Sequence, residues 1–350
     1  MRKTDIANKK IKPQTVVFGL LIFLIFYLAI IMISVYGFDA DNKLTKKTVR
    51  FVPLPAATWG TNFISVSRLK MELGSVKMFY ENQDFSDLGM RVDFTTADGK
   101  KRLKIKEKNI LNKLIENKLI ENEATKRGLA INPEDISQEV SRKMQEYGSE
   151  EYLKDNLAKL YGWRLSDFEE NIVKPDMYKE KLFANLLETD KKSFEAKDKI
   201  SAALNELNNG KSFEETAEKY SDGESAQDGG KLGWFRSNQM LPEIVETVFA
   251  LKKGERSKII ESSLGYHIIE MEDRDIENNE DIVQIKQIFV RSLDFSEWLA
   301  EYEKNFDIHI FLKDFYWNKD AGTVEFKNDD LKNFEENLDK NSPDDISILF

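Results

Sequence analysis

Cysteine is absent from this 350-residue chain, which excludes disulfides, thiolate metal sites and a cysteine nucleophile. The absence leaves the redox compartment open, because a chain without thiols is safe in either. Histidine is nearly absent too. Only His267 and His309 occur, in separate segments without ligand spacing, so neither a metal site nor a cofactor is expected. Positive charge is not in excess either: 52 Lys and Arg face 62 Asp and Glu, for a net charge of -10. That balance argues against nucleic acid as a partner, since phosphate backbones need a basic face. What remains is a chain with 33% charged and 41% hydrophobic residues, enough apolar material for packed cores under a solvated surface. The length suits about two domains with extras.

One long apolar run is present. From Val16 to Tyr36 no charged residue occurs, and as a helix this run is roughly 31 Å long, enough to cross a bilayer. It is too long for the core of a signal peptide, and no small-residue cleavage site follows. Arg2, Lys3, Lys9, Lys10 and Lys12 precede it against the single acid Asp5, so the N-terminus is expected in the cytoplasm and the bulk outside it. Lys43, Lys46, Lys47 and Arg50 follow on the far side and weaken that orientation signal. The expected order is a basic cytoplasmic tail over 1–15, a transmembrane helix over 16–36 and a linker with Pro53 and Pro55 over 37–62.

Residues 63–190 read as an all-helical lobe. Ile110, Leu111, Leu114, Ile115, Leu119 and Ile120 form one apolar stripe at helical spacing. Helix starts are expected at Asn132-Pro133, at Ser149 and at Ser166, the last as a capping box. Before this stripe, Met90–Lys106 with its Asp98-Gly99 pair suggests a hairpin. From Lys197 the texture changes. One amphipathic helix stops at Asn208-Asn209-Gly210, a second starts at Ser212, and a Gly-rich acidic loop over Ser221–Lys231 leads into short alternating strands. Residues 292–327, with Trp298, Phe306, Ile308, Ile310 and Phe311, read as a helix and strand packed on the helical lobe, with His309 facing solvent. Residues 328–350 are acidic and sparsely apolar, and read as a disordered tail.

The segment 212–271 carries a dense set of spaced landmarks: Tyr220-Ser221, Gly229-Gly230 followed by Leu232-Gly233-Trp234-Phe235, Gln239-Met240, Phe249-Ala250-Leu251 with Gly254, and Gly265-Tyr266-His267-Ile268-Ile269. These resemble the parvulin-type peptidyl-prolyl isomerases. The helical lobe, with LIENKLIENEATKRGLAI, is similar to the chaperone domain of SurA/PrsA-like foldases. The resemblance implies an α+β chain with a transmembrane helix, a SurA-like helical lobe and a parvulin-like domain over 191–291, a small antiparallel sheet with helices. It also implies unfolded or proline-containing exported polypeptides as partners. Carried over residue by residue, it gives His267, Gln287 and Asp222 as catalytic candidates and Leu232, Met240, Ile244 and Phe249 as substrate-binding candidates. By pattern alone, Leu232, Met240 and Phe249 read as ordinary core residues; only the motif gives them a site role.

One missing strand and four residues depart from the family. The opening strand, which in parvulins carries a first histidine, is missing, because the residues before Asp198 read as helix. Val283–Arg291 resembles that strand moved to the end, as in a circular permutation. A hairpin around Glu277-Asn278 with His267 opposite Gln287, Ile269 opposite Ile285 and Met271 opposite Val283 puts all six on one face. Gln287 then stands where the family has its first histidine. Gly223, Ile244 and Leu264 also replace the usual Cys or Asp, pocket aromatic and small polar residue. Three readings follow: a tethered prolyl isomerase with weakened catalysis, a non-catalytic holdase gripping chains with a degenerate pocket, or, least favoured, a structural partner of a membrane complex docking through Trp298, Phe306, Ile308, Ile310 and Phe311.

Overall fold

The computed structural model describes residues 13–38, 43–82, 93–147 and 150–341. In chain order, α1 (Pro13–Met32) continues as a π turn to Gly37 and is followed by α2 (Lys43–Phe51), β1 (Pro55–Trp59), β2 (Asn62–Ser65) and α3 (Val66–Asn82). Then come α4 (Ala97–Lys126), α5 (Pro133–Tyr147), α6 (Glu150–Asn156), α7 (Leu165–Phe168), α8 (Lys174–Thr189), α9 (Lys191–Asn208) and α10 (Phe213–Tyr220). The second half alternates β3 (Lys231–Arg236), α11 (Pro242–Ala250), β4 (Ile260–Ser262), β5 (Gly265–Glu277), β6 (Glu280–Arg291) and α12 (Phe295–Glu303). It closes with β7 (His309–Ile310), β8 (Phe315–Asn318), β9 (Thr323–Phe326) and α13 (Asp329–Asn341). Two compact units result, one of residues 1–122, 131–175 and 302–350, the other of 123–130 and 176–301.

The first unit is built on α4. Its stripe of Leu111, Ile115 and Leu119 is fully buried against Leu69, Phe315, Val324 and Phe326. Asn112 ties the same helix to β9 by donating to Thr323 at 2.7 Å and accepting from the Val324 amide at 2.9 Å. Four expectations fail in this unit. The supposed linker holds α2 and a hairpin, β1 with β2, onto which β7 adds as a third strand. Ala56, Ala57 and Trp59 are buried there, so Pro55 is the first residue of a strand and does not mark a loose connection. The hairpin read at Asp98-Gly99 is the first turn of α4. Thr96 caps that turn by accepting the Gly99 amide at 2.9 Å, and local capping chemistry wins over the turn signal. The acidic tail is helical over Asp329–Asn341, because Leu331, Phe334 and Leu338 share one face and dock on the core. Residues 342–350, the basic tail as far as residue 12 and the cap expected at Ser149 lie outside the described residues. The capping box falls at Arg164, whose amide donates to Asp167 at 2.9 Å, and not at Ser166. Ile308 and Ile310 are buried in this unit's core, and His309 is exposed.

Among the described residues no helix is long and apolar enough to cross a membrane. The run expected to do so falls in α1, where the side chains of residues 13–17 and 19–21 lie outside the description.

The second unit is a four-stranded antiparallel sheet in the order β3-β6-β5-β4 with helices on both faces. Tyr266, Ile268, Ile288 and Val290 face α9 and α10, while Ile269, Met271, Val283 and Ile285 face α11. The β5–β6 pairing differs from the sequence expectation by two residues: His267 stands opposite Phe289, Ile269 opposite Gln287 and Met271 opposite Ile285. The turn decides this. Asn278 and Asn279 both take positive φ, 52° and 66°, as in a two-residue hairpin turn, and an irregularity between Met271 and Asp273 absorbs one more residue. An even shift keeps every side chain on its expected face. Because Asn at the second left-handed position is strained relative to Gly, Asn279→Gly is expected to raise stability by up to about 1 kcal/mol. A urea midpoint at or below that of the parent chain would contradict this account of the turn.

Candidate functional site

The α11 face of the sheet ends in a hollow at the His267 end of β5. The hollow has a volume of about 190 Å³, and Leu232, Phe235, Met240, Leu241, Ile244, Leu264, Ile285 and Phe289 wall it, with Gln239, His267 and Gln287 as its polar members. That is small beside the cavities that hold whole small-molecule ligands, and suits a single apolar side chain or ring. Ile244 is buried at its back, whereas Leu232 and Leu264 are 36% and 54% exposed at its rim.

His267 is 3% exposed on the floor. The two-residue shift makes it a diagonal neighbour of Gln287, and the side chains still meet: His267 Nδ1 lies 3.3 Å from Gln287 Oε1. On the other side, Ser262 Oγ lies 2.7 Å from His267 Nε2. With the Gln287 oxygen as acceptor, the ring proton sits on Nδ1 and Ser262 donates to Nε2. Burial lowers the His267 pKa below its ordinary 6.5, opposed by the Gln287 hydrogen bond and the Glu243 charge. The ring is therefore a neutral, oriented hydrogen-bonding group. The Gln287 amide nitrogen has no partner among the described residues and is available to a carbonyl in the hollow.

The loop after α10 holds β6 in place. Ser221 Oγ accepts the Phe289 amide at 3.0 Å, and the Asp222 amide donates to Phe289 O at 2.6 Å. These bonds fix Phe289, whose ring packs 5.0 Å from His267. Gly230 closes the other end. It has φ +83°, its carbonyl accepts the Gln287 amide at 2.8 Å, and a Cβ there would meet Gln287 O at 2.6 Å. Only glycine permits that approach. On the opposite face Lys286 gathers Glu214, Glu270 and Glu272 at 2.7, 3.4 and 3.2 Å. Burial works against its charge, but the carboxylates outweigh it and hold the ammonium above its usual range.

Five of the seven site residues expected from sequence, His267, Gln287, Leu232, Met240 and Ile244, are brought together here. Two are not. Asp222 faces away, its carboxylate pairing with Lys199 and accepting the Arg291 amide at 3.0 Å. It is one residue from Gly223, but alternation turns it outward. Phe249 packs against the core beneath, where Arg274 covers its ring. Ser262, Phe235 and Phe289 escaped the sequence reading. Alternation with Gln287 was the available signal for Phe289, whereas nothing local marks Ser262, which meets His267 only through the tight β4–β5 turn.

Comparison with known proteins bears on this site directly. A family described as the SurA-like N-terminal domain matches residues 8–191, more than half of the chain. The chain belongs to that family. A second match, to the PPIC-type PPIASE domain, covers residues 179–273 and so includes β3, β4 and His267 but not β6. A Chaperone SurA of Chromohalobacter salexigens is 43% identical over 100 residues, 27% of this chain and 23% of that protein. A Foldase protein PrsA of Caldanaerobacter subterraneus is 30% identical over 187 residues, 50% of this chain and 59% of that protein. The alignments thus span less than two thirds of these relatives' lengths. A crystal structure of the peptidylprolyl isomerase PrsA from Bacillus anthracis aligns with 65% of this SurA-like chain and 94% of its own at 21% identity, with a TM-score of 0.20, too low to bear on the arrangement.

Because His267 is held neutral, the unfolded chain takes up a proton that the folded chain refuses. Stability should therefore fall as pH drops through about 6.5, level off below the folded value, and do so less steeply in His267→Gln. Identical pH profiles of urea unfolding in the two proteins would rule this out. Gly230→Ala is expected to cost about 1–3 kcal/mol, read from the same unfolding curves.

Proposed function

We propose that this chain is a membrane-anchored, extracytoplasmic folding factor whose parvulin domain seats a prolyl ring in the hollow above His267 and Gln287. The family matches support the class of protein. The observation that carries the site is the pairing of a neutral imidazole with a carboxamide on the floor of an otherwise apolar, ring-sized cavity. Rotation about a prolyl bond crosses a barrier near 20 kcal/mol without any covalent step. Catalysis then needs only tighter binding of the twisted amide than of the planar one. An apolar wall disfavours the charge-separated planar form, and the Gln287 amide offers a donor to a flanking carbonyl.

The polar cluster is thin. Gln287 occupies the place of an imidazole and cannot exchange a proton near neutral pH, Gly223 offers no side chain, and Asp222 is turned away. Isomerase activity is accordingly weak in this reading, and gripping unfolded chains is the larger part of the function. A pure holdase is the alternative, favoured by the same thin cluster. β6, in this reading, stands in for the family's opening strand in permuted order, which agrees with its place between β3 and β5 and with a PPIC-type match that ends before it. The charge-free run Val16–Tyr36 after five basic residues supports a single-pass anchor with the N-terminus in the cytoplasm.

A coupled assay with a proline-containing peptide on the full chain in detergent tests the catalytic part. Low turnover is expected from the parent chain. Gln287→His with Gly223→Asp should raise it by roughly tenfold, since a Cβ at 223 meets nothing closer than 3.4 Å. No gain in the double variant, with aggregation suppression intact, would leave the holdase reading standing alone.

A further inference from the structure

The first unit contains a second cavity that the folding function does not use. It measures about 720 Å³ and lies between α3 and α4, with Phe38 and Lys313 at its edge. Its charge is its main feature. Lys70, Lys77, Lys100, Lys104 and Lys313 line it against the single carboxylate of Glu107, in a chain whose net charge is -10. Lys70 and Lys77 are one heptad apart on α3, Lys100 and Lys104 one turn apart on α4, so two helices present their basic stripes to one space. Glu107, 2% exposed, is taken up by Lys70 at 2.8 Å and Lys104 at 2.7 Å, and Lys104 also pairs with Asp314 at 2.9 Å, so Lys70 and Lys104 are neutralised and the excess charge lies on the other three lysines. Lys77 reaches Glu81 only at 3.6 Å. Neither Lys100 nor Lys313 has an ion-pair partner among the described residues. Ammonium groups gathered in this way repel one another and attract an anion from solution.

A second observation points to an occupied space. Gly74 lines the cavity from the middle of α3, where glycine costs about 1 kcal/mol against alanine. Neither backbone nor packing requires it: its φ is ordinary, and a Cβ built there meets no atom within 4 Å. What glycine provides here is room. A third observation concerns place. Phe38, 75% exposed, lies two residues past the end of the apolar run at Tyr36, and Tyr36 packs 5.9 Å from Phe311, two residues before Lys313. If the run is a membrane anchor, the cavity opens at the bilayer surface.

We propose that this cavity binds a phosphoryl group, supplied by the headgroup of an anionic glycerophospholipid. Lysine suits this ligand as a compact, strongly hydrated point charge, and basic clusters beside a membrane segment draw anionic lipid at short range. The phosphoryl chemistry rests on the cavity alone. The lipid as its source rests on the anchor reading given above.

The test uses the full chain in phosphatidylcholine nanodiscs with and without phosphatidylglycerol, with retained lipid read by native mass spectrometry. Phosphatidylglycerol should be retained selectively by the parent chain. Lys100→Glu with Lys313→Glu should reduce retention by roughly tenfold, and Lys100→Arg with Lys313→Arg should keep it. Gly74→Leu, which fills the cavity without touching a charge, should also abolish retention while leaving the lipid-free melting temperature unchanged or raised. Retention in both the Glu and the Leu variants equal to the parent's overturns the site. Saturable binding of inorganic phosphate without preference between the two lipids overturns the lipid source. A chain that does not enter nanodiscs refutes the anchor, and titration with soluble glycerophosphoglycerol, lost in Gly74→Leu, then still supports the phosphoryl site.

Discussion

The hydrogen bond between His267 Nδ1 and Gln287 Oε1 depends on a register that two asparagines set at the far end of the hairpin. Asn278 and Asn279 turn the chain in two residues, and one irregularity past Met271 completes the offset. Everything above the sheet then follows from which side chains that offset leaves beside one another. The histidine meets a carboxamide diagonally and an aromatic ring directly, and Ser262 comes to its far nitrogen through the next turn. A buried imidazole with both nitrogens engaged is cheaper to keep neutral than charged, which explains why the site reads as a hydrogen-bonding surface and not as a proton shuttle.

The two faces of that sheet divide their work. The α9–α10 face is a sealed apolar core with Lys286 locked among carboxylates at its edge. The α11 face is core only as far as Ile285. Beyond it the wall opens, because Leu232 and Leu264 lie at a rim and not under a helix. The Ser221–Asp222 clip and Gly230 serve the opening by fixing β6 from its two sides. Asp222, expected among the catalytic residues, thus turns out to hold a strand, and Gly230, expected to shape a loop, turns out to admit a carbonyl.

The first unit shows how charge and glycine can carry meaning that apolar patterning hides. Its core is ordinary, a long helix packed on two small sheets. Its cavity is not, since five lysines converge in a chain that is acidic as a whole and a helix interior keeps a residue that weakens it. Packing alone gives no reason for either choice.

Local patterning in the sequence was enough to mark the central helical stripe, the faces of the β5–β6 hairpin and the family resemblance. Helical periodicity located the stripe of Leu111, Ile115 and Leu119, alternation put His267, Ile269, Gln287 and Ile285 on one face, and the spaced landmarks of 212–271 named the domain. These are local properties, written in neighbouring residues. Tertiary structure decided the rest. The register hung on turn geometry, and an even slip leaves the pattern of faces unchanged, so alternation could not detect it. Asp222 and Phe249 left the site because strand contacts from β6 and the core claimed them. Residues 43–62 and 329–341 are ordered because their few apolar side chains, Ala57 and Trp59 in one and Phe334 and Leu338 in the other, found a core contributed by distant parts of the chain. Burial depends on what comes from elsewhere, and no window of sequence contains that.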